Sequence, residues 1–148
     1  MVLQEQSTRP IDNPNLFYQY AELLDEVITG SGAETMFFMT WAREYDPGMI
    51  DGLAGAYDTI GDQLDADICP VGRAFEMAND HDDHMDLHST DGSHPNVYGT
   101  YLAVCLFYAC MFEENPLGVE SVSSPAISLE DSEFIQTIAW QTYLQYGL

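Results

Sequence analysis

Asp91 and His94 stand three residues apart in the stretch Asp91-Gly92-Ser93-His94-Pro95. A carboxylate one turn upstream of an imidazole suits a general base held by an orienting acid. The carboxylate takes the Nδ1 proton and fixes the tautomer, and Nε2 is left to accept a proton from a nucleophile. The stretch runs straight into Asn96-Val97-Tyr98-Gly99-Thr100-Tyr101-Leu102-Ala103. Pro95 is expected to open a helix there, because the first helical position needs no N–H. Just upstream, His81, His84, His88 and His94 share a polar loop with several carboxylates. Spacings of three and four residues suit a zinc site, so a metal-binding protein is one alternative reading; an ordinary acidic surface loop is the other. No serine carries the signature of a nucleophile. Ser31 follows a helix and precedes a strand, the reverse of a nucleophile elbow. Ser93 is locked between Asp91 and His94, and no motif marks Ser7.

The elements that must position these groups follow from apolar periodicity and caps. Met1-Val2-Leu3 reads as the tail of a strand, and residues 4–10 as the loop leaving it. Asp12 or Asn13 caps a helix with Pro14 at its first position. Leu16, Phe17, Tyr20, Leu23, Leu24, Val27 and Ile28 continue it at helical spacing, and Gly30-Ser31-Gly32 ends it. Met36-Phe37-Phe38-Met39 is a short strand buried on both faces. Pro47 is expected to start the next helix, with Ile50, Leu53, Tyr57 and Ile60 inward. Ile68-Cys69-Pro70-Val71 reads as a further strand, limited by its proline. A short helix spans 72–79, a loop spans 80–95, and a buried helix spans 96–113. Residues 119–148 form a connector and a last helix, opened by the capping-box-like Ser128-Leu129-Glu130-Asp131. Strand–helix alternation of this kind predicts an α/β fold, a parallel sheet with helices on both faces. Trp41 and Arg43 lie just past the end of a strand, where open α/β sheets bind ligands, and they are candidate pocket-lining residues. Arg43 is equally suited to neutralising nearby carboxylates.

Asp91-Gly92-Ser93-His94-Pro95 followed by Gly99-Thr100-Tyr101-Leu102-Ala103 resembles the last sequence block of the SGNH (GDSL-like) hydrolases. The similarity extends to Val2-Leu3-Gln4-Glu5-Gln6-Ser7, Phe38-Met39-Thr40-Trp41-Ala42-Arg43 and Pro70-Val71-Gly72-Arg73-Ala74, and covers roughly residues 2–118. The resemblance implies a three-layer, flavodoxin-like parallel sheet and serine-esterase chemistry on carboxylic esters, such as carbohydrate acetyl esters, with no cofactor. It makes His94 and Asp91 the catalytic pair and Gln4 the oxyanion-hole amide, with Gln6 as the alternative. The family's Gly-Asp-Ser nucleophile block is absent from this sequence. The resemblance therefore implies an incomplete domain over 1–148, lacking its N-terminal strands and unable to act alone. Its partner would be a small-molecule ester in the complete enzyme. The exposed sheet edge at Val2-Leu3 and uncovered apolar positions such as Phe17 and Leu24 would be covered by a homodimer or a partner chain. The alternative from a different class is a non-catalytic acidic remnant or interaction protein.

Composition limits the setting. Hydrophobic residues make up 46% of 148, enough for one real core. Against 25 acidic residues stand only Arg9, Arg43 and Arg73, which gives a net charge of −22. That self-repulsion opposes a compact state until molar salt cuts the Debye length to about 3 Å. The expectation is a halophile protein in a salt-loaded cytoplasm. With no basic patch, nucleic acid and anionic membrane surfaces are poor partners. Cys69, Cys105 and Cys110 are odd in number and sit in apolar runs, so they read as buried hydrophobes rather than a disulfide frame.

Overall fold

Three short apolar runs set the architecture. In the computed structural model, which describes residues 1–81, 85–119 and 127–147, they are β1 (Val2–Leu3), β2 (Met36–Phe38) and β3 (Asp67–Cys69). They pair in parallel in the order β1-β2-β3. Val2 stands opposite Met36, and Phe37 stands between Leu3 and Ile68. Side chains along a strand point alternately to its two faces. Phe37 and Met39 enter one core with Phe17, Leu53, Tyr57 and Ile60, while Met36 and Phe38 pack against the other with Phe75, Leu102, Leu106 and Ile138. The chain is thus an α/β protein with helices on both faces of a parallel sheet.

The first face is covered by α2 (Pro14–Gly30) and α3 (Met49–Leu64). Asn13 is the cap of α2, its side chain accepting the Leu16 N–H at 3.3 Å. A four-residue helix, α1 (Arg9–Asp12), stands in what reads as loop, because the Gln6 side chain caps its first N–H groups. Helix α3 begins two residues later than Pro47 suggests. The Asp46 and Pro47 carbonyls first take the Met49 and Ile50 N–H groups in a turn. The orientation of α2 corrects one expectation. Phe17 is buried, at 4%, edge-on to Phe37 and Tyr57, whereas Tyr20, Leu23, Leu24 and Val27 turn outward, Val27 to 71% exposure.

The second face is covered by α4 (Val71–Asn79), α5 (Val97–Phe112) and α6 (Leu129–Tyr146). Strand β3 stops at Cys69, short of Val71, since Pro70 has no N–H for the ladder and instead caps α4. Gly72 then passes so close to β2 that a Cβ there would collide with the Thr40 carbonyl oxygen. Helix α6 is joined to α5 by a buried amide. Gln136 donates to Tyr101 OH at 2.7 Å and to the Val119 carbonyl at 2.9 Å, and accepts from Gly118 N–H at 2.9 Å. Among the described residues, no helix is long and apolar enough to cross a membrane.

Candidate functional site at the carboxyl ends of the strands

The loop from Asp86 to Asn96 carries the Asp–His pair, and it is tied at both ends to the start of α5. Asn96, not Pro95, is the cap of that helix; its side chain accepts the N–H groups of Tyr98 and Gly99 at 2.8 and 3.1 Å. Pro95 lies one residue outside the helix, where its carbonyl accepts the Ser89 hydroxyl at 2.9 Å. The Asn96 amide also donates to the Asp86 and His88 carbonyls, and Ser89 N–H reaches the His94 carbonyl at 2.8 Å. Gly99 brings helix and loop together. A Cβ there would run into the Leu87 carbonyl oxygen and come within 2.8 Å of Phe75 Cζ.

Within that frame Asp91 makes three bonds. Its Oδ1 accepts the backbone N–H groups of Ser93 and His94, both at 2.9 Å, and its Oδ2 meets His94 Nδ1 at 2.6 Å. The turn closes through Gly92, whose φ of +63° suits glycine. The bond to the His94 imidazole, reinforced by those two N–H groups, holds the Asp91 carboxyl well below the usual carboxylate range. With Nδ1 occupied, Nε2 is the imidazole atom left for chemistry. The pair is open to solvent, the His94 side chain at 78% and Asp91 at 49%. No hydroxyl among the described residues is bonded to Nε2.

The segment leaving β2 holds the loop from the side. Trp41 Nε1 donates to the Ser93 carbonyl at 3.0 Å, and the indole stacks on Phe75 with ring centres 4.7 Å apart. Glu44 N–H donates to the Gly92 carbonyl at 3.0 Å. Trp41 therefore braces the dyad loop, while Arg43 lines a neighbouring cleft of about 340 Å³ together with Glu44, Phe75, Glu76, Asp86 and His88. On its far side Arg43 Nη2 donates to Ser7 Oγ at 2.7 Å, which joins the β2 exit to the β1 exit. These contacts span 36 to 52 residues of sequence, and no local spacing announces them. The Asn96 clamp did have a signal, because Asn is a preferred cap.

The two oxyanion candidates sit on the β1 exit. Gln4 and Gln6 are exposed. The Gln6 amide oxygen is committed to Thr8 N–H, Arg9 N–H and the Thr8 hydroxyl. Beside them Glu5 N–H donates to Tyr57 OH at 3.3 Å, and burial pushes that phenol up to about 12. Cys69 and Cys105 are buried thiols rather than nucleophiles. Burial drives the Cys69 thiol far above its ordinary value, its hydrogen bond to Cys110 adds to this, and burial pushes Cys105 to about 11. The described histidines do not converge. His81 meets Phe134 edge-on, and His88 Nε2 is 3.1 Å from the Ala42 carbonyl; His84 lies outside the described residues. Among the described residues no group of three or more His, Cys, Asp or Glu side chains is placed to hold a metal ion.

No family model matches the chain, and no curated protein matches it. Among solved structures it is similar to a DUF4886 family protein from Bacteroides uniformis, with a TM-score of 0.77 at 20% sequence identity. The match takes in 99% of this chain and 62% of that one, so the chain spans less than two thirds of its neighbour's length. At that identity the likeness is one of fold.

Proposed function

We propose that the chain carries the acid–base part of an SGNH-type serine esterase acting on carboxylic esters. The observation behind this is the 2.6 Å contact between His94 Nδ1 and Asp91 Oδ2, in a loop fastened at the carboxyl ends of parallel strands. Asp91 sets the tautomer of His94. His94 Nε2 takes the proton of a serine hydroxyl as it attacks the acyl carbon, then returns it to the leaving alcohol. The serine belongs to a segment outside this site as described, and the oxyanion donor in this reading is the exposed Gln4 amide ahead of Gln6, whose Nε2 donates to Ser7 Oγ at 3.5 Å. The same reading puts the covering partner, a further segment or a second copy, on the β1 edge and the outward Tyr20, Leu23, Leu24 and Val27 of α2. It also puts the working medium at molar salt, on account of the −22 charge.

The test is fluorophosphonate labelling of the protein at its full natural length in molar KCl, with peptide mapping. One labelled serine, lost in His94→Ala, is the expected result. Labelling unchanged in His94→Ala, or none in a folded full-length protein, overturns the proposal.

A further inference from the structure

Among the described residues Arg43 is a cation without a paired carboxylate, in a protein crowded with carboxylates. Of the three arginines, Arg73 is held by Asp51 at 3.1 Å and Glu76 at 2.8 Å, and Arg9 is exposed on α1. Arg43 is half-buried, yet among the described residues no acidic side chain pairs with it. Among the described residues its guanidinium donates to the neutral Ser7 hydroxyl. Had the guanidinium served only to neutralise the surface, Glu44 beside it in sequence would be its natural partner. It lies instead along the cleft wall, one residue from the Glu44 N–H that holds the dyad loop at Gly92.

We infer that Arg43 is the recognition site for a carboxylate on the ester substrate. A guanidinium presents two parallel N–H donors that match a carboxylate's two oxygens. The bond to Ser7 Oγ restrains the side chain, so less rotamer freedom remains to be lost on binding. The cleft's own acids set the charge of the ligand. Glu76 is engaged by Arg73, while Glu44, Asp80 and Asp86 form a negative wall that no other cation neutralises among the described residues. Beside that wall each further negative charge on a ligand adds repulsion, so a carboxylate monoanion is favoured over a phosphate dianion at the single guanidinium. The preferred substrate is a monoanionic ester, held by its carboxylate at Arg43 while the acyl group reaches toward His94. This deepens the esterase reading and names its substrate class.

Binding is read without turnover, by side-chain ¹H–¹⁵N spectra at the lowest KCl concentration that keeps the protein folded. With three arginines and no lysine, the guanidinium Nε–H region holds three resonances, and Arg43→Lys assigns the one of interest. The probes are monomethyl succinate (an ester with a carboxylate), dimethyl succinate (the same ester, neutral) and methyl phosphate. The expected result is a saturable shift of the Arg43 resonance with monomethyl succinate. Its affinity should be at least tenfold above that of either other probe, with Arg9 and Arg73 unmoved. No Arg43 shift, an equal response to the neutral diester, a parallel drift of all three arginines, or a preference for methyl phosphate overturns the inference. The serine-labelling experiment fails independently. Carboxylate binding at Arg43 without His94-dependent labelling would leave a carboxylate site and remove the esterase.

Discussion

Two loops lie at the same end of the sheet, one leaving β1 and one joining α4 to α5, and they are built to different standards. The dyad loop, Asp86 to Asn96, is fastened by its own backbone, by the Asn96 clamp, by Trp41 and by Glu44, and its functional side chains are aimed before any ligand arrives. The β1 exit, Gln4 to Arg9, spends its best side chain on capping a four-residue helix and leaves Gln4 exposed. Pre-organised donors and proton carriers stabilise a transition state, while mobile ones must first be ordered. On the proposed esterase reading, the proton-transfer side of the site is finished in this chain and the oxyanion side is not. The solvent-open dyad and the outward apolar row on α2 lie on surfaces that a covering element would complete.

The contrast is broken most severely at Asp91. In the full-length protein Asp91→Asn should slow fluorophosphonate labelling by about 10⁴-fold, since the amide no longer fixes the His94 tautomer. The same variant tests pH dependence. Hydrogen bonds to His94 and Ser93 depress the Asp91 pKa in the folded state, below the roughly 3.9 of an unfolded aspartate. As pH falls, the unfolded chain therefore takes up the proton first. The group's stabilisation is complete above the unfolded value and is lost progressively as pH drops toward the folded one. The difference in urea midpoint between wild type and Asp91→Asn should be largest near pH 6 and shrink by pH 2.5. A constant difference would show that Asp91 does not owe its role to its charge.

Gly99 sharpens the comparison at the level of packing. Gly99→Ala drives a methyl group into the Leu87 carbonyl and Phe75, and should cost about 1–3 kcal/mol in urea unfolding while loosening the dyad loop. Gly55 on α3 is the control. A Cβ there meets nothing within 4 Å, so Gly55→Ala should stabilise by about 0.5–1 kcal/mol. Equal effects at the two sites would mean that helix propensity, not the loop's fit against α5, decides Gly99.

Trp41→Phe is milder. It keeps a ring to stack on Phe75 and removes only the bond to the Ser93 carbonyl. The expected loss is about 1 kcal/mol, with hydrogen exchange at Ser93 and His94 rising more than at α5. Exchange that rises equally in both places would make Trp41 a core residue rather than a brace.

The sequence disclosed what was local. Asp91 and His94 are three residues apart, so their pairing depends on one turn, and the turn is written in Gly92 and Asn96. The alternation of apolar strands and amphipathic helices likewise sufficed for a parallel α/β sheet. What failed depended on competition or distance. Pro95 lost the helix start to Asn96, because an amide that satisfies two N–H groups outweighs a residue that merely lacks one. The face of α2 was misjudged at Phe17, since apolar residues occupy more than one side of that helix, and periodicity does not say which side meets the sheet. The contacts of Trp41 with Ser93 and of Arg43 with Ser7 join segments far apart in the chain, and only the fold reveals them.

The smallest effects lie on the unfinished loop, and they decide between its two glutamines. Gln6→Ala removes the cap of α1 and should cost about 0.5–1 kcal/mol, because the Thr8 N–H loses its acceptor at an exposed helix start while the Arg9 N–H keeps the Gln6 carbonyl. Gln4→Ala should change stability by less than about 0.5 kcal/mol, as expected for an exposed side chain away from any cap or core contact. If Gln4 is the oxyanion donor of the completed site, the order reverses in the full-length protein. Gln4→Ala would then lower ester turnover by about 10²–10³-fold, while Gln6→Ala would act only through stability. Turnover that falls with Gln6→Ala and not with Gln4→Ala would move the oxyanion role to Gln6. The α1 cap would then have to open on substrate binding, and its two N–H groups would become protected from exchange less, not more, when ligand is present.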